Sequence, residues 1–430
     1  MASRPRGVLA PLAPLAPLRH RSFALLWSGA LISNVGTWME TVAAGVLVTA
    51  ETGRAGWTGL IAVAAFVPTV ALGPLGGALA DRVARRPLLL ATTAAQMACA
   101  ALLAALAFIG TPSPLSVALV LFAAGCAGAL GFPAFQSLLP DLVPREDLLG
   151  AVALSSAQWN IGRVFGPLLA SVALAAGGPG WAFAANALSF GAVLAALLLI
   201  RLPARIAPAV ASVSTWRRIA EGARYARATP ALRAALACVA LYSLLAGPFI
   251  ALVPAMALTV LHAGPSGTAA LVTAQGLGAV GVAAALGPLA ARLGRGRVLL
   301  LTLTALPPAL VLYAWAPVLP ASALAIMALG GLYLSLLSGL STVVQMHAPA
   351  ALRGRIMSLQ VVALSLFYAV GALAQGALAD RVGLRLTTTV AAALLALALV
   401  AARLVRPHLA VALRDDVPRP APDADSLSAR

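Results

Sequence analysis

Gly77-Ala-Leu-Ala-Asp-Arg-Val-Ala-Arg-Arg86 and, 210 residues later, Gly287-Pro-Leu-Ala-Ala-Arg-Leu-Gly-Arg-Gly296 are the two strings on which the architecture of this chain turns. The glycine recurs, Leu79 and Ala80 return as Leu289 and Ala290, and Arg82 and Arg85 return as Arg292 and Arg295. No gap is needed. Asp81 becomes Ala291, and Gly294 stands where the first copy has Ala84. The same offset carries the first apolar run, which starts near Phe23, to Leu232–Arg233, where the seventh starts. A six-helix unit used twice is a transporter signature, because alternating access rocks one repeat against the other around a central site.

Composition agrees with a membrane setting. Of 430 residues, 61% are hydrophobic and 10% charged, and mean hydropathy is +0.97. Globular domains average about 45–50% apolar and about 25% charged, so this chain has too little polar surface to face water. A soluble multidomain enzyme, a disordered scaffold and a secreted cysteine-stapled module are excluded. The net charge of +17 is carried entirely by arginine, since the sequence has no lysine. In a soluble protein such an excess would indicate nucleic acid; in a chain this apolar it marks the cytoplasmic side of a membrane, and no nucleic-acid partner is expected. Cys99, Cys126 and Cys238 sit in apolar runs without CxxC spacing, and the four histidines are scattered singly. No metal site and no cofactor is read from them.

Twelve runs are apolar and long enough to span a bilayer, given a need for about 20 residues each. They lie at roughly 23–48, 58–80, 88–109, 114–138, 149–174, 181–200, 232–260, 267–290, 298–315, 320–345, 357–378 and 385–405. The expected fold is all-α and integral to the membrane, with two six-helix pseudo-repeats. Placing the N-terminus in the cytoplasm puts 25 of the 29 arginines inside. Arg54, Arg381 and Arg385 fall outside, and Arg163 lies within span 5. The opposite orientation would strand those 25 outside, so both termini are expected in the cytoplasm. The layout is a leader (1–18), a six-helix bundle (19–200), a linker (201–231), a second bundle (232–405) and a tail (406–430). The leader, with its Ala-Pro-Leu repeats, has no cleavage site after a single short apolar core and reads as cytoplasmic. In the linker, Trp216, Ile219, Ala220 and Ala223 fall on one face of a helix from Trp216 to Ala228, while Arg217, Arg218, Arg224 and Arg227 fill the rest. That pattern suits a helix on the anionic inner leaflet, or else a solvated charged linker. The tail, with four aspartates among prolines, is expected to be disordered.

The twelve-span layout and Gly77–Arg86 resemble the major facilitator superfamily, whose 2–3 loop motif is G-x-L-A-D-R-x-G-R-R. Ala84 departs from it. The physics of the motif stands by itself: Asp81 closes span 2 at the cytoplasmic end, with Arg82, Arg85 and Arg86 nearby. A carboxylate there can hold an arginine, or the positive N-terminus of a neighbouring helix, in one conformation and release it in another. The resemblance implies that this motif latches the cytoplasmic gate. A plain basic loop would explain the arginines but not the glycine or the aspartate. Gly376–Arg385, G-A-L-A-D-R-V-G-L-R, is a better string match, yet it lies in the outer 11–12 loop by the span count. It is read as a helix end and turn.

On span 5, Gly162, Gly166 and Pro167 resemble the G-x-x-x-G-P-x-x-G-G motif of superfamily antiporters, with Ala170 and Ser171 in place of the last glycines. Glycines four apart let helices approach, and Pro167 removes a backbone hydrogen bond, so packing alone could require them. The stretch from Leu142 to Pro167, together with Ser33–Ala43 and Ala351–Leu359, resembles the branch containing the enterobactin exporter and macrolide efflux proteins. The likeness covers roughly residues 19–405. The arginine that many drug antiporters carry on span 4 is missing, since that span has no charge between Pro114 and Leu139.

Two charges lie inside spans. Glu40 sits ~7 Å and Arg163 ~3 Å outward of the midplane at about 1.5 Å per residue. A lone charge there costs ~2.5–3.5 kcal/mol or more, so intramembrane charges face a cavity and pair. Glu40 with Arg163 is the expected pair, serving either as a protonation-driven coupling site or as a permanent salt bridge between spans 1 and 5. Asn34 and Trp38 on span 1, with Gln158 and Asn160 on span 5, share this depth range and are the candidates for lining a substrate cavity. The leading reading is a monomeric secondary exporter in the bacterial inner membrane that exchanges protons for a hydrophobic or amphipathic, drug- or siderophore-like molecule. A proton-coupled importer or facilitator is the alternative. A polytopic receptor or enzyme is disfavoured, because no His, Asp or Glu cluster sits at a membrane face. No GxxxxGK[ST] loop is present to draw on ATP.

Overall fold

A computed structural model describes residues 13–200, 215–349 and 352–405. The expected disordered tail (406–430), most of the leader and the first part of the linker lie outside the described residues. Every regular element described is helical. In chain order they are α1 (Arg21–Thr52), α2 (Ala55–Arg82), α3 (Arg85–Ile109), α4 (Pro114–Leu138), α5 (Leu148–Gly177), α6 (Pro179–Leu199), α7 (Thr215–Ala228), α8 (Pro230–Leu245), α9 (Gly264–Leu293), α10 (Arg295–Ala314), α11 (Leu319–His347), α12 (Arg353–Val382) and α13 (Leu384–Val405), with short helical turns between some of them. Twelve are long and apolar enough to cross a membrane, the seventh being the broken segment Pro230–Val260 that begins with α8. In hydrocarbon a helix is the way an isolated segment satisfies its own backbone, which is why apolar runs of this length fold so.

The chain divides into two compact units, Met1–Thr52 with Ala64–Ala211, and Gly53–Val63 with Ser212–Arg430. α2 is therefore shared: its first two turns group with the second unit and the remainder with the first. In the first unit α1 packs on α5 and α6, and α3 packs on α4 and α6. Phe23, Leu26, Leu138 and Leu197 are completely or almost completely buried at one end of that core. In the second unit α9 and α10 pack on α11, α8 on α12, and α10 on α13. Tyr242 is fully buried there, and its hydroxyl donates to the Leu303 carbonyl at 2.6 Å.

α8 breaks at a 3-10 turn, Gly247–Phe249, that has Pro248 at its centre, and the span finishes in a π turn at Met256–Val260. Proline has no N–H to give the carbonyl four residues back. Gln375 of α12 supplies it: Nε2 donates to the Leu244 carbonyl at 2.9 Å and to that of Leu245 at 3.0 Å.

The linker helix α7 docks on the start of α12 rather than lying wholly free. Gly222 and Ala226 are buried and Tyr225 is half-buried, while Glu221 pairs with Arg355. Ala220, placed by the sequence on the apolar face, is exposed. Gly222 decides the docked face, since it brings the backbone of α7 against the stem of Arg355. The side chains of Thr215–Ile219 are outside what is described.

Candidate functional site

Glu40 lies two-thirds of the way along α1 and is only 6% exposed. Its Oε2 accepts a hydrogen bond of 2.8 Å from Nδ2 of Asn186 on α6, a residue with no exposed surface. The amide is held in turn by Ser189, whose hydroxyl lies 3.1 Å from Asn186 Oδ1 and 2.7 Å from its backbone carbonyl. Gly36, one helical turn before Glu40, makes room for this cluster. A Cβ there would come within 2.6 Å of Asn186 Oδ1.

The other face of α1 meets α5. Gly162 lies against Asn34 and Trp38, where a Cβ would sit 3.1 Å from atoms of each. At Gly166 a Cβ would overlap the Trp38 side chain. Pro167 is buried next to it. These small residues thus seat α5 on α1, the packing role that the motif allowed. The Arg163 guanidinium stands 5.4 Å from the centre of the Trp38 ring, a cation–π contact. The structure therefore brings together Asn34, Trp38, Gly162, Arg163 and Gly166. Glu40 and Arg163, expected as a pair, find separate contacts. Residues two apart on a helix do not share a face, so Trp38 turns to α5 while Glu40 turns to α6. Gln158 is buried at 4% exposure, and Asn34 and Trp38 are half-buried. The side chain of Asn160 is not among those described.

At the arginine-rich end, Arg85 pairs with Asp141, which sits in the 3-10 turn Leu139–Leu142. Arg86 Nη2 donates to the carbonyl of Leu198, one of the last in α6. Helix C-terminal carbonyls lack intrahelical donors and carry partial negative charge, so this arginine caps α6. Arg82 is exposed, a Cβ on Gly77 would meet no described atom within 4 Å, and the side chain of Asp81 is not described. The repeat copy is looser. Gly287 has open space among the described residues, Arg292 and Arg295 are exposed, and Arg295 Nη1 lies 4.0 Å from the Met346 sulfur. Gly294 turns the chain at φ +83°. Among the described residues no three His, Cys, Asp or Glu side chains gather as metal ligands would.

The sequence alone assigns no role to Asn186 or to Asp141. Asn186 carried a usable signal, a polar residue on the small-residue face of span 6. Asp141 carried none, because loop geometry decides where it points.

The model of the transmembrane secretion effector family, part of the major facilitator superfamily, matches residues 12–423. Macrolide efflux protein A of Streptococcus pyogenes is 26% identical over 247 residues, 56% of this chain and 60% of that protein. The enterobactin exporter of Salmonella typhimurium is 34% identical over 130 residues, 30% of this chain and 31% of the exporter. The chain thus spans from 31% to 60% of the length of these relatives. Among solved structures, a bacterial homologue of the human lysosomal transporter Spinster superposes with a TM-score of 0.67 at 15% identity, over 94% of this chain and 100% of that one. At that identity the likeness is one of fold.

Proposed function

Because this chain belongs to the transmembrane secretion effector family and is a multi-pass membrane transporter rather than an enzyme, we propose that it exports a hydrophobic or amphipathic small molecule by proton antiport. The membrane is the bacterial inner membrane, with both termini in the cytoplasm. Support for export comes from the relatives, whose names are those of a macrolide efflux protein and an enterobactin exporter. Support for orientation comes from the 25 arginines on one side.

Glu40 carries the coupling part of the proposal. A carboxyl at 6% exposure, held by one neutral amide, is costly to keep charged in hydrocarbon. It is therefore suited to taking up a proton and losing it as access changes from one side to the other. Arg163 over Trp38, half-buried with Asn34 nearby, offers a cationic and aromatic wall to an amphipathic substrate. Arg85 and Arg86 are engaged inside their own unit, so in this reading they shape the loop and Asp81 is the part of the gate motif that switches. The twelve spans act as two six-helix bundles, 19–200 and 232–405.

Efflux into inverted vesicles, with a substrate panel and an imposed pH gradient, tests the proposal. Glu40→Gln keeps the contact with Asn186 possible and removes the titration. It should abolish acceleration by the gradient while substrate binding persists. Full gradient-driven efflux by a well-expressed Glu40→Gln protein would remove Glu40 from the proton path.

A further inference from the structure

The string Gly376–Arg385 reads in sequence as a helix end and turn, and its geometry shows a contact that a turn does not need. α12 carries Asp380 in its last turn, and the carboxylate meets the start of α2. The Gly56 N–H lies 3.2 Å from each Asp380 oxygen, and Arg54 Nε lies 3.4 Å from Oδ2. The Asp380 side chain is 12% exposed and that of Arg54 65%. First-turn N–H groups have no intrahelical partner and form the positive end of the helix, so a carboxylate there fills a donor and balances the dipole.

The approach depends on missing side chains. A Cβ on Gly376 would lie 2.7 Å from the Ala55 carbonyl oxygen, and one on Gly56 would lie 2.6 Å from Asp380 Oδ2. At Gly59 it would overlap the Ala372 carbonyl. All these residues belong to the second unit, but from Ala64 onward α2 belongs to the first. The helix held here is the one that both units share.

We propose that Asp380, with Arg54 and the crossing of Gly56 and Gly376, is a releasable clasp on the outer end of α2. It fastens that end to α12 in the state seen here and lets go during the transport cycle, so that the start of α2 can follow the rest of the helix. Release is feasible because the contact is polar and sits at helix ends, where water can replace each bond. The proposal rests on the transporter reading and on the arginine-based orientation, and its test needs no transport.

In the full-length protein with Cys99, Cys126 and Cys238 replaced by serine, Ala372→Cys places one thiol on the α12 face covered by Gly59. A membrane-impermeant maleimide applied to intact cells reads how often that face opens outward. Asp380→Asn should raise the labelling rate about three- to tenfold, and Arg54→Gln, which removes the more exposed partner, about twofold. If Asp380→Asn fails to accumulate, Gly56→Ala displaces the carboxylate and should raise labelling in the same way. Equal rates with and without these substitutions, at equal abundance, would overturn the clasp. An increase confined to inverted vesicles would overturn its outer placement, and with it the orientation behind the proposed function, while efflux failing alone would leave the clasp intact.

Discussion

Gly77–Arg86 and Gly376–Arg385 agree at eight of ten positions, yet they differ in what surrounds the leading glycine and in how the chain turns at the link. In the first, two residues link the helices, and Ala84 takes φ −59° and ψ 128°, a conformation open to any side chain. In the second, a single residue links them, and Gly383 takes φ +86° and ψ 152°, where a Cβ is strained. Gly294, joining α9 to α10 alone at φ +83°, behaves like Gly383. The alanine that departs from the family pattern is thus explained: a two-residue link has no need of glycine. The leading glycines differ too. Gly376 is pressed against the Ala55 carbonyl, whereas Gly77 has open space around its Cα. Identical letters acquire their roles from what stands opposite them.

Topology offers the sharpest way to break this comparison. Reporter fusions after Pro112, Gly178 and Ala263 should read external, and those after Arg86, Ala211 and Ala410 cytoplasmic, in an all-or-none pattern. An external reading is expected in the Asp380–Gly383 loop. A cytoplasmic one would make the two strings equivalent gate motifs and undo the span count.

Stability comes next. Gly376→Val drives a branched side chain into backbone that cannot yield, and should cost about 3 kcal/mol. Gly77→Val should stay within about 0.5 kcal/mol. Thermal unfolding of the two purified variants in one detergent measures the gap, and a gap near zero would remove the steric distinction.

The turn glycines should show a smaller effect. Gly294→Ala and Gly383→Ala are each expected to lose about 1–2 kcal/mol, while Ala84→Gly changes stability by less than about 1 kcal/mol. Similar losses at all three would mean that the link length does not set the residue.

The smallest effect belongs to the arginines of the first string. Asp141→Asn leaves Arg85 without its carboxylate, at a cost of about 0.5 kcal/mol for a pair partly open to water. Raising the salt concentration should erase the difference between this variant and the parent protein.

Most of the fold was legible in the sequence because the bilayer imposes length and apolarity on each span. The site was legible only in part. Glu40 and Arg163 stand out by cost alone, since few charges sit in hydrocarbon, and depth along the helices placed them near each other. Which face each takes depends on the rotation of α1 between α5 and α6, and depth does not encode rotation. Ala220 was misplaced for a related reason: the periodicity of α7 shows an apolar stripe, but the neighbour that chooses the docked face is Arg355, more than a hundred residues away. Gly376–Arg385 was set aside because its meaning lies in Gly56, at the far end of the chain.

The donors that Gln375 gives to the broken part of α8 have a mechanical consequence. In hydrocarbon no water waits to take over the Leu244 and Leu245 carbonyls, so sliding α12 along α8 would leave two acceptors bare. The two helices are in effect riveted at that level. Asp380 lies five residues beyond the rivet on the same α12, so any tilt of the broken span is carried to the tip of α12 like the stroke of a lever about its pin.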